Sequence, residues 1–440
     1  MIIDKTRVGL LVVVIVTGML LGCQEEADLE KDNAPAGCTT ALKGDVYLAT
    51  NFPSLHWPVR EHFDKAVLLA ASEVNEGGGI GSPGLTLGVI SCDTLGDREI
   101  GVENVLGLGA LPEVAAIVGA ARSAVTMGDS PSNFGTCLAG ADNGIVSITP
   151  GSTNDNIGNI VDDDYCYRTC AADSIQGNVQ AGVAAAMGCT SVLYISDGDD
   201  SYTTGLMGNF EDAASEALVV EGKAYRTGGE LATSVLEDLG AGTYDCLGSS
   251  LFAKDFAPIV NALAADGAFD ALRLLVGDGA HSAGFLADLT PGALTFVEDG
   301  TLLGTKPGCT DATATFKERY LSHYGEEDQE FDHSAYDAAI VLATAMSMLE
   351  DPKDRTGIRD LLRDGKLQTG ERINFENWSV LRDAAIAAGT VDYEGAAGPH
   401  DFEANGDVDG NIWVGEVRDG KFVGSTTYKS CWSSSGVPLP

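Results

Sequence analysis

The sequence predicts an α/β protein of two lobes, each built on a mostly parallel β-sheet that helices flank. Short apolar runs alternate with segments of helical apolar spacing along most of the 440 residues. Repeated βα units of this kind form parallel sheets with helices on both faces. At least about 260 residues take part in the alternation, and this length favours two lobes over a single sheet. An apolar content of 44% is enough to give each lobe a core.

The predicted elements follow one another in regular order. In the segment 61–75 apolar residues recur every three or four positions, which predicts a helix that the glycine run 77–81 ends. The segment 401–422 differs, because short β runs alternate there with Asn-Gly and Asp-Gly turns, which is typical of antiparallel hairpins. Strands are predicted over 45–50, 85–91, 115–119, 145–148, 165–169, 191–195, 218–224 and 271–276, and helices over 61–75, 100–111, 174–187, 204–217, 255–265, 333–349 and 357–364.

The first 23 residues are interpreted as a targeting segment. A short basic region precedes an apolar stretch, 8–16, which is too short to span a bilayer comfortably. Residues 20–23 (LLGC) resemble the lipobox of bacterial lipoproteins, and this resemblance implies cleavage before Cys23 and lipidation of its thiol. The alternatives are an ordinary secretory signal or a membrane anchor. The expected location is the periplasm, with the lipid as anchor, and Gln24 favours the outer membrane over the inner one.

Acidic residues dominate the charge. The net charge of the chain is −39, and removal of residues 1–22, with one acidic and two basic side chains, would make it −40. Because Lys and Arg must replace counterions along a phosphate backbone, such a chain is not expected to bind nucleic acid. It also repels anionic lipid, so an acyl group at Cys23 would have to supply the anchoring. The polar, acidic segment 23–42 is predicted to be a tether.

Nine cysteines follow Cys23, and an exported location permits disulfides between them. The odd number leaves at least one thiol free. Cys166 and Cys170 lie about 13 Å apart at the rise of a strand, too far for a mutual bridge, and the connectivity stays open. No cysteine pair has zinc-ligand spacing and the six histidines are scattered, so no metal site and no cofactor is predicted.

The stretch 144–177 is the strongest candidate for a ligand site. An apolar run ends there at a Pro-Gly pair, and Gly151, Ser152 and Thr153 lie on the turn before a second β-like run, 165–169. Open α/β sheets bind ligands beyond the carboxyl ends of their strands, so these residues are candidates for ligand contacts. The alternative is an ordinary strand–loop–strand in which Ser and Thr serve only the turn.

Several stretches occur together in a specific order. The most specific is 168–177 (RTCAADSIQG), and the others are 70–75, 92–93, 118–126, 148–154, 197–206, 254–256, 277–279, 336–339, 402–406 and 419–422. Over roughly residues 43–425 this ordered set resembles the substrate-binding proteins of ABC transporters in the branched-chain amino acid class, which have the type I periplasmic-binding fold. No single motif decides the resemblance, but the ordered set is specific.

The resemblance implies two lobes that three crossings of the chain join, with a ligand in the cleft and a hinge that closes the lobes on it. Lobe 1 would comprise 43–171 plus 304–398. Lobe 2 would comprise 172–303 plus 399–432, and 433–440 would be a tail.

The family's binding residues fall on matching positions of this chain. Ser123 would bind the ligand carboxylate through its amide and hydroxyl, with help from the Thr153 amide. The Gly151 carbonyl and the Thr153 hydroxyl would accept from the ligand ammonium, and Asp278 matches the acidic residue that pairs with this ammonium. Tyr202 would cover the ligand from lobe 2. This set agrees with physical requirements, because a buried zwitterion needs donors, acceptors or a counter-ion for each charge.

Other positions near the predicted site have open interpretations. Trp57, on the loop after the first strand, is a candidate wall of the side-chain pocket or a cover for the lobe surface. Ser123 could instead start a helix, Tyr202 could pack in a core, and Asp278 could be a turn residue between two glycines. Arg122 would put a cation near the carboxylate end, which suits a more anionic ligand. The acidic clusters 162–164 and 197–200 are interpreted as solvated loops.

One segment departs from the family pattern. Only twenty residues lie between Phe256 and Gly277, whereas a helix, a strand, a second helix and another strand would need about 32 before loops. A βα unit is therefore predicted to be shortened or displaced, and this weakens the assignment of Asp278 most.

These observations predict a lipid-anchored solute-binding protein that captures an amino acid or a related small polar solute and delivers it to an ABC permease. The alternative is a ligand-sensing or vestigial outer-membrane lipoprotein of the same fold, without transport. An enzyme is not predicted, because no G-x-S-x-G, H-E-x-x-H, P-loop or dinucleotide motif occurs in a suitable context.

Overall fold

Two sheets organise the part of the chain that the computed structural model describes, residues 34–54, 60–128, 134–214 and 218–439. The first sheet has the strand order β1-β3-β2-β4-β5-β6. Strands β2 to β6 pair in parallel and β1 lies antiparallel to β3 at one edge. These strands are β1 (Cys38–Leu42), β2 (Val46–Phe52), β3 (Leu87–Asp93), β4 (Val114–Gly119), β5 (Val146–Thr149) and β6 (Cys166–Arg168).

The second sheet has the order β15-β14-β11-β10-β9-β7-β8, with β16 paired to β14. Its strands β7 to β11 are parallel, and β14 lies antiparallel to β11. A separate parallel pair is formed by β12 (Arg372–Asn374) and β13 (Asp392–Glu394). The strands of the second sheet are β7 (Ser191–Asp197), β8 (Val219–Tyr225), β9 (Cys246–Ser249), β10 (Arg273–Val276), β11 (Leu302–Pro307), β14 (Ile412–Arg418), β15 (Lys421–Gly424) and β16 (Cys431–Trp432).

Helices cover both sheets, as expected for parallel strands whose two faces are buried. The helices are α1 (Arg60–Glu76), α2 (Arg98–Gly109), α3 (Ser123–Met127), α4 (Thr136–Asp142), α5 (Asp173–Met187), α6 (Ser201–Ala214), α7 (Leu231–Ala241), α8 (Ala253–Ala265), α9 (Ala283–Ala287), α10 (Pro291–Val297), α11 (Asp311–Tyr324), α12 (Asp332–Ser347), α13 (Arg355–Arg363) and α14 (Trp378–Ala388). Every residue of α12 is buried, including polar side chains such as Asp332, His333 and Asp337.

Separate cores define two lobes. Helices α1 and α11 to α14 pack with the first sheet, while α5 to α10 pack with the second. The chain crosses from one lobe to the other three times, between β6 and α5, between β11 and α11, and between β13 and β14. The predicted fold class, a two-lobed α/β protein with three crossings, is confirmed, and the exact lobe boundaries stay a prediction.

Three sequence interpretations were wrong. The end of the expected tether, 38–42, forms the edge strand β1, which hydrogen-bonds to β3 and is joined to it by the Cys38–Cys92 disulfide. No βα unit is shortened before Asp278, because α7 and β9 precede α8 and complete the series. Of the hairpins expected over 401–422 only β14–β15 forms, and the described segment 401–411 contains no strand.

Four disulfides join the described cysteines in pairs and leave Cys170 as a buried free thiol. The odd count had predicted at least one free cysteine. The pairs are Cys38–Cys92, Cys137–Cys166, Cys189–Cys246 and Cys309–Cys431. The last closes a loop of 122 residues and ties the start of the second crossing to the carboxyl-terminal strand β16.

Candidate ligand-binding cleft

The predicted site residues lie where parallel strands end. Ser123 begins α3 just after β4, and Gly151 follows β5 in the same lobe. In the second lobe, Tyr202 lies in the first turn of α6 after β7, and Asp278 follows β10. Because the carboxyl ends of parallel strands share one edge of a sheet, these four residues come to the facing edges of the two lobes.

These four residues line one small cavity between the lobes, together with four others: Ala121, Arg122, Asp200 and Phe252. In this arrangement its free volume is about 10 Å³, room for roughly one water molecule, whereas ligand pockets typically have about 300–1,000 Å³. Direct contacts between the lobes explain its size, since the Asn154 side-chain amide donates to the Ser201 carbonyl at 2.6 Å. The structure is therefore a closed arrangement of the two lobes.

Asp278 supplies a buried carboxylate at one side of the cavity. Its residue is only 5% exposed, and Tyr202 donates its hydroxyl proton to Asp278 Oδ1 at 3.0 Å. The Tyr202 oxygen in turn accepts from the Gly279 amide at 3.1 Å, which fixes the ring. Burial raises the pKa of Asp278 to about 6, and hydrogen bonds from Gln176 and Tyr202 oppose the shift without cancelling it. A cationic group in the cavity would satisfy this carboxylate.

Ser123 lies on the opposite wall and is buried. Its hydroxyl accepts from the Asn154 amide at 3.3 Å, and as a donor it remains able to bind an anionic oxygen. A Cβ at Gly151 would lie 3.5 Å from the Ala121 carbonyl oxygen and from the Phe63 ring, which are ordinary van der Waals distances.

Ser152 and Thr153 are buried beside the cavity but do not line it. The Ser152 hydroxyl lies 2.7 Å from the Thr126 hydroxyl and donates to the Ala120 carbonyl at 3.2 Å. The Thr153 carbonyl accepts from Arg168 Nη1 at 2.9 Å. In this arrangement both residues shape the turn that presents Gly151, and their predicted ligand contacts stay predictions.

Arg168 anchors this turn to the crossing segments. Its guanidinium is fully buried and pairs with Asp407 at 2.7 Å, and it donates to the carbonyls of Thr153 and Asn154. Asp407 belongs to the third crossing, whereas Arg168 ends β6 at the first. The specific motif 168–177 therefore joins the ligand-side turn to the hinge.

Arg122 is not a free cation, contrary to the expectation from the sequence. Its Nη2 pairs with Asp200 of the second lobe at 2.8 Å, and its guanidinium lies 5.4 Å from the centre of the Phe252 ring. Asp200 is 8% exposed, so the interpretation of the cluster 197–200 as a solvated loop was wrong for this residue, whereas Asp199 is exposed. The Arg122–Asp200 ion pair thus joins the two lobes beside the cavity and leaves no net charge there.

Two predicted residues, Trp57 and Cys23, lie outside the described residues. Among the helices that are described, none combines the length and apolar character needed to cross a bilayer. Sequence reasoning missed Asp200 and Phe252. Only the approach of the two lobes brings them to the site, and local pattern carries no signal of that approach.

Solved structures with the same architecture include binding proteins from several bacteria. LivJ of Streptococcus pneumoniae, a branched-chain amino acid transporter substrate-binding protein solved with isoleucine, is 19% identical at a TM-score of 0.70, covering 86% of this chain and 97% of its own. The leucine-binding protein LivK of Thermotoga maritima is 20% identical at 0.68, covering 88% and 99%. A solute-binding protein of an ABC transporter from R. palustris, solved with benzoate, is 14% identical at 0.66, covering 90% and 99%.

These likenesses establish the fold. No curated protein is similar enough to match the chain. A family model described as periplasmic binding protein matches residues 58–421, which is most of the chain, and a family of binding proteins agrees with the expectation that the chain is not an enzyme. The chain belongs to the periplasmic binding protein family.

Proposed function

We propose that this chain is a lipid-anchored, extracytoplasmic solute-binding protein that captures an amino acid or a related small polar solute between its lobes and delivers it to an ABC permease. The observation that carries the proposal is the Asp278 carboxylate, buried in a cavity whose opposite wall holds Ser123 and Gly151. The two walls offer one negative charge and a set of neutral donors.

A zwitterion suits this distribution of charge. Its ammonium would pair with Asp278 and replace the water that burial has removed from the carboxylate. Its carboxylate would face the Ser123 hydroxyl and the amides at the amino end of α3. Arg122 is already paired with Asp200, so the cavity as a whole favours a neutral zwitterion over a plain anion.

Similar proteins support the choice of ligand class. LivJ of S. pneumoniae was solved with isoleucine, and a substrate-binding protein from Desulfitobacterium hafniense with leucine. Binding proteins from R. palustris were solved with benzoate and 4-hydroxybenzoate, which lack an ammonium. The buried Asp278 would repel such anions, and this favours amino acids for the present chain.

The lipid anchor and the periplasmic location rest on the sequence. Residues 20–23 resemble a lipobox, so the Cys23 thiol would carry the lipid. The acidic residues 24–37 would then separate the membrane from β1. Metabolic labelling with a fatty acid tests this directly: wild-type protein should incorporate the label, and Cys23→Ala should not.

Ligand capture is tested by a thermal-shift screen of the purified protein against amino acids, their amides, short acids and sugars. A ligand at a hundredfold excess over its Kd stabilises a protein by about 2.7 kcal/mol, which is a shift of several degrees. The proposal expects at least one amino acid to shift the wild type and to lose its effect in Ser123→Ala or Asp278→Asn. If no amino acid produces a shift, the proposal is wrong.

A further inference from the structure

A second, larger cavity lies between the lobes on the other side of the Asp278 loop. Its volume is about 370 Å³, and it shares no lining residue with the cavity at Ser123. One wall belongs to the first lobe, from α11 and the loop 325–331. The other belongs to the second lobe, from α9 and the β14–β15 hairpin.

Apolar groups form much of this second cavity. Leu286, Trp413 and Phe422 come from the second lobe, and Leu321 faces them from α11. Leu321 is 47% exposed. An apolar ligand body between these side chains would remove this surface from water.

Most charges in the second cavity already have partners. Glu330 accepts from Lys306 at 3.5 Å and lies 3.2 Å from His281 Nδ1, so one buried carboxylate serves both groups. Lys306 also lies 5.3 Å from the centre of the Trp413 ring. Near the rim, Lys421 faces Glu327 at 3.7 Å.

The exposed Glu318 lines the cavity without an ion pair to any described residue, and the other exceptions are Lys317 and Asp328. Both are half-buried and line the cavity, yet neither forms an ion pair with any residue that the structure describes. Burial lowers the pKa of Lys317, and the nearby Lys306 lowers it further. Burial likewise raises the pKa of Asp328, although Lys317 and Lys306 oppose that shift. The ammonium and the carboxylate therefore attract each other across the cavity without forming a direct ion pair, and burial has removed part of the water around both.

We propose that the second cavity is a separate ligand site for a small zwitterion with an apolar or aromatic side chain. The ligand carboxylate binds Lys317, its ammonium binds Asp328, and its side chain lies among Leu286, Trp413 and Leu321. This arrangement supplies both unpaired charges with a partner and keeps the net charge of the site unchanged. It does not depend on what the cavity at Ser123 binds.

The position of the site between the lobes has a consequence for closure. Helix α11 moves with the first lobe, since Phe316 and Tyr320 belong to its core, whereas Trp413 and Phe422 lie on strands of the second sheet. A ligand that touches both walls binds the closed and open arrangements with different affinity. The two sites are therefore thermodynamically linked. The ligand of the second cavity changes the affinity of the first cavity for its ligand, and the first ligand changes the affinity of the second cavity by the same factor.

Isothermal titration calorimetry of the purified protein with L-phenylalanine and L-leucine tests the proposal. The variants are Lys317→Met and Asp328→Asn in the second cavity and Asp278→Asn in the first, with the exposed Lys353→Met as a matched control. Two further probes each keep one of the two ligand charges: 3-phenylpropionate has only the carboxylate, and 2-phenylethylamine has only the ammonium. Thermal denaturation of each variant confirms that it is folded.

The proposal expects Lys317→Met to weaken one binding event at least tenfold while the event lost in Asp278→Asn remains. Each of these two probes should bind at least tenfold more weakly than L-phenylalanine. If the wild type shows a single event that Lys317→Met removes and Asp278→Asn leaves, the second site stands and the proposed function of the first cavity falls. Equal stoichiometry and affinity in wild type, Lys317→Met and Asp328→Asn overturn the second site, as does a wild type that binds neither amino acid.

Discussion

Replacing Asp278 by Asn should stabilise the free protein and weaken its ligand, two effects of opposite sign from one side chain. Burial raises the pKa of this carboxyl from 3.8 to about 6. A shift of about two units, at 1.36 kcal/mol each, means that the ionised group costs the folded, ligand-free protein roughly 3 kcal/mol above pH 6. Asparagine removes the charge, and its side-chain oxygen can still accept from the Tyr202 hydroxyl.

The direction in which stability changes with pH follows from the raised pKa of Asp278. Protonation of Asp278 favours the folded state, so the ligand-free protein should gain stability as the pH falls from about 7 towards 4. Asp278→Asn should show this gain already at pH 7.5, as a free energy of unfolding higher by up to about 3 kcal/mol. Denaturant unfolding at pH 7.5 and pH 5 measures both curves, and the difference in stability between the two proteins should be about half as large at pH 5.

Ligand affinity should change in the other direction. A proton competes with the ligand ammonium for Asp278, so affinity is full above pH 7 and falls about tenfold at pH 5, one unit below the pKa. The Asn variant loses a charge-assisted hydrogen bond of about 2 kcal/mol, which is roughly thirtyfold in Kd, and its affinity should not vary over this range.

The matched control is Asp162→Asn. Burial also raises the pKa of Asp162 to about 6, but this residue lies in the loop before β6 and outside both cavities. It should keep the wild-type pH dependence of binding. An Asp278→Asn protein that binds as tightly as wild type, or one that is markedly less stable at pH 7.5, refutes the reasoning.

Three further predictions concern closure and covalent structure. Arg122→Gln leaves Asp200 without its partner across the cleft, so the ligand-free protein should open and its radius of gyration by X-ray scattering should rise. An unchanged radius would show that the Arg122–Asp200 ion pair does not hold the lobes closed. Joint replacement of Cys309 and Cys431 by Ser removes the closure of a 122-residue loop and should lower the free energy of unfolding by about 4–5 kcal/mol; a loss below 1 kcal/mol contradicts it. Burial raises the pKa of the Cys170 thiol to about 12, so iodoacetamide at pH 8 should alkylate it only after unfolding, and rapid alkylation of the native protein contradicts its burial.

The fold could be predicted because its central strands are largely apolar and most of its helices are periodic. Strand β4 (VAAIVG) is buried at every position, and such a run has few interpretations other than a central parallel strand. Strand β9 (CLGS) could not be found in this way, since it has four residues and one is glycine. Gly248 is required there because a Cβ would lie 2.3 Å from the Tyr194 ring, and that contact comes from a strand more than fifty residues away.

The candidate site was predictable to the extent that single strand ends define it. Ser123, Gly151 and Asp278 each follow an apolar run, and local sequence is enough to place them at the edge of a sheet. Asp200 is one of three acidic residues in the segment 197–200. No spacing in the sequence shows which of the three pairs with Arg122 of the other lobe. Contacts between lobes depend on the closure of the whole molecule, so they were visible only in three dimensions.

The central claim is that the cavity at Ser123 and Asp278 binds the ammonium and carboxylate of an amino acid. A crystal structure of the protein with the amino acid that gives the largest thermal shift tests it most directly. We expect the ligand nitrogen within about 2.7–3.2 Å of an Asp278 carboxylate oxygen, with the ligand carboxylate against the Ser123 hydroxyl. A ligand bound with its carboxylate towards Asp278, or outside this cavity altogether, would contradict it.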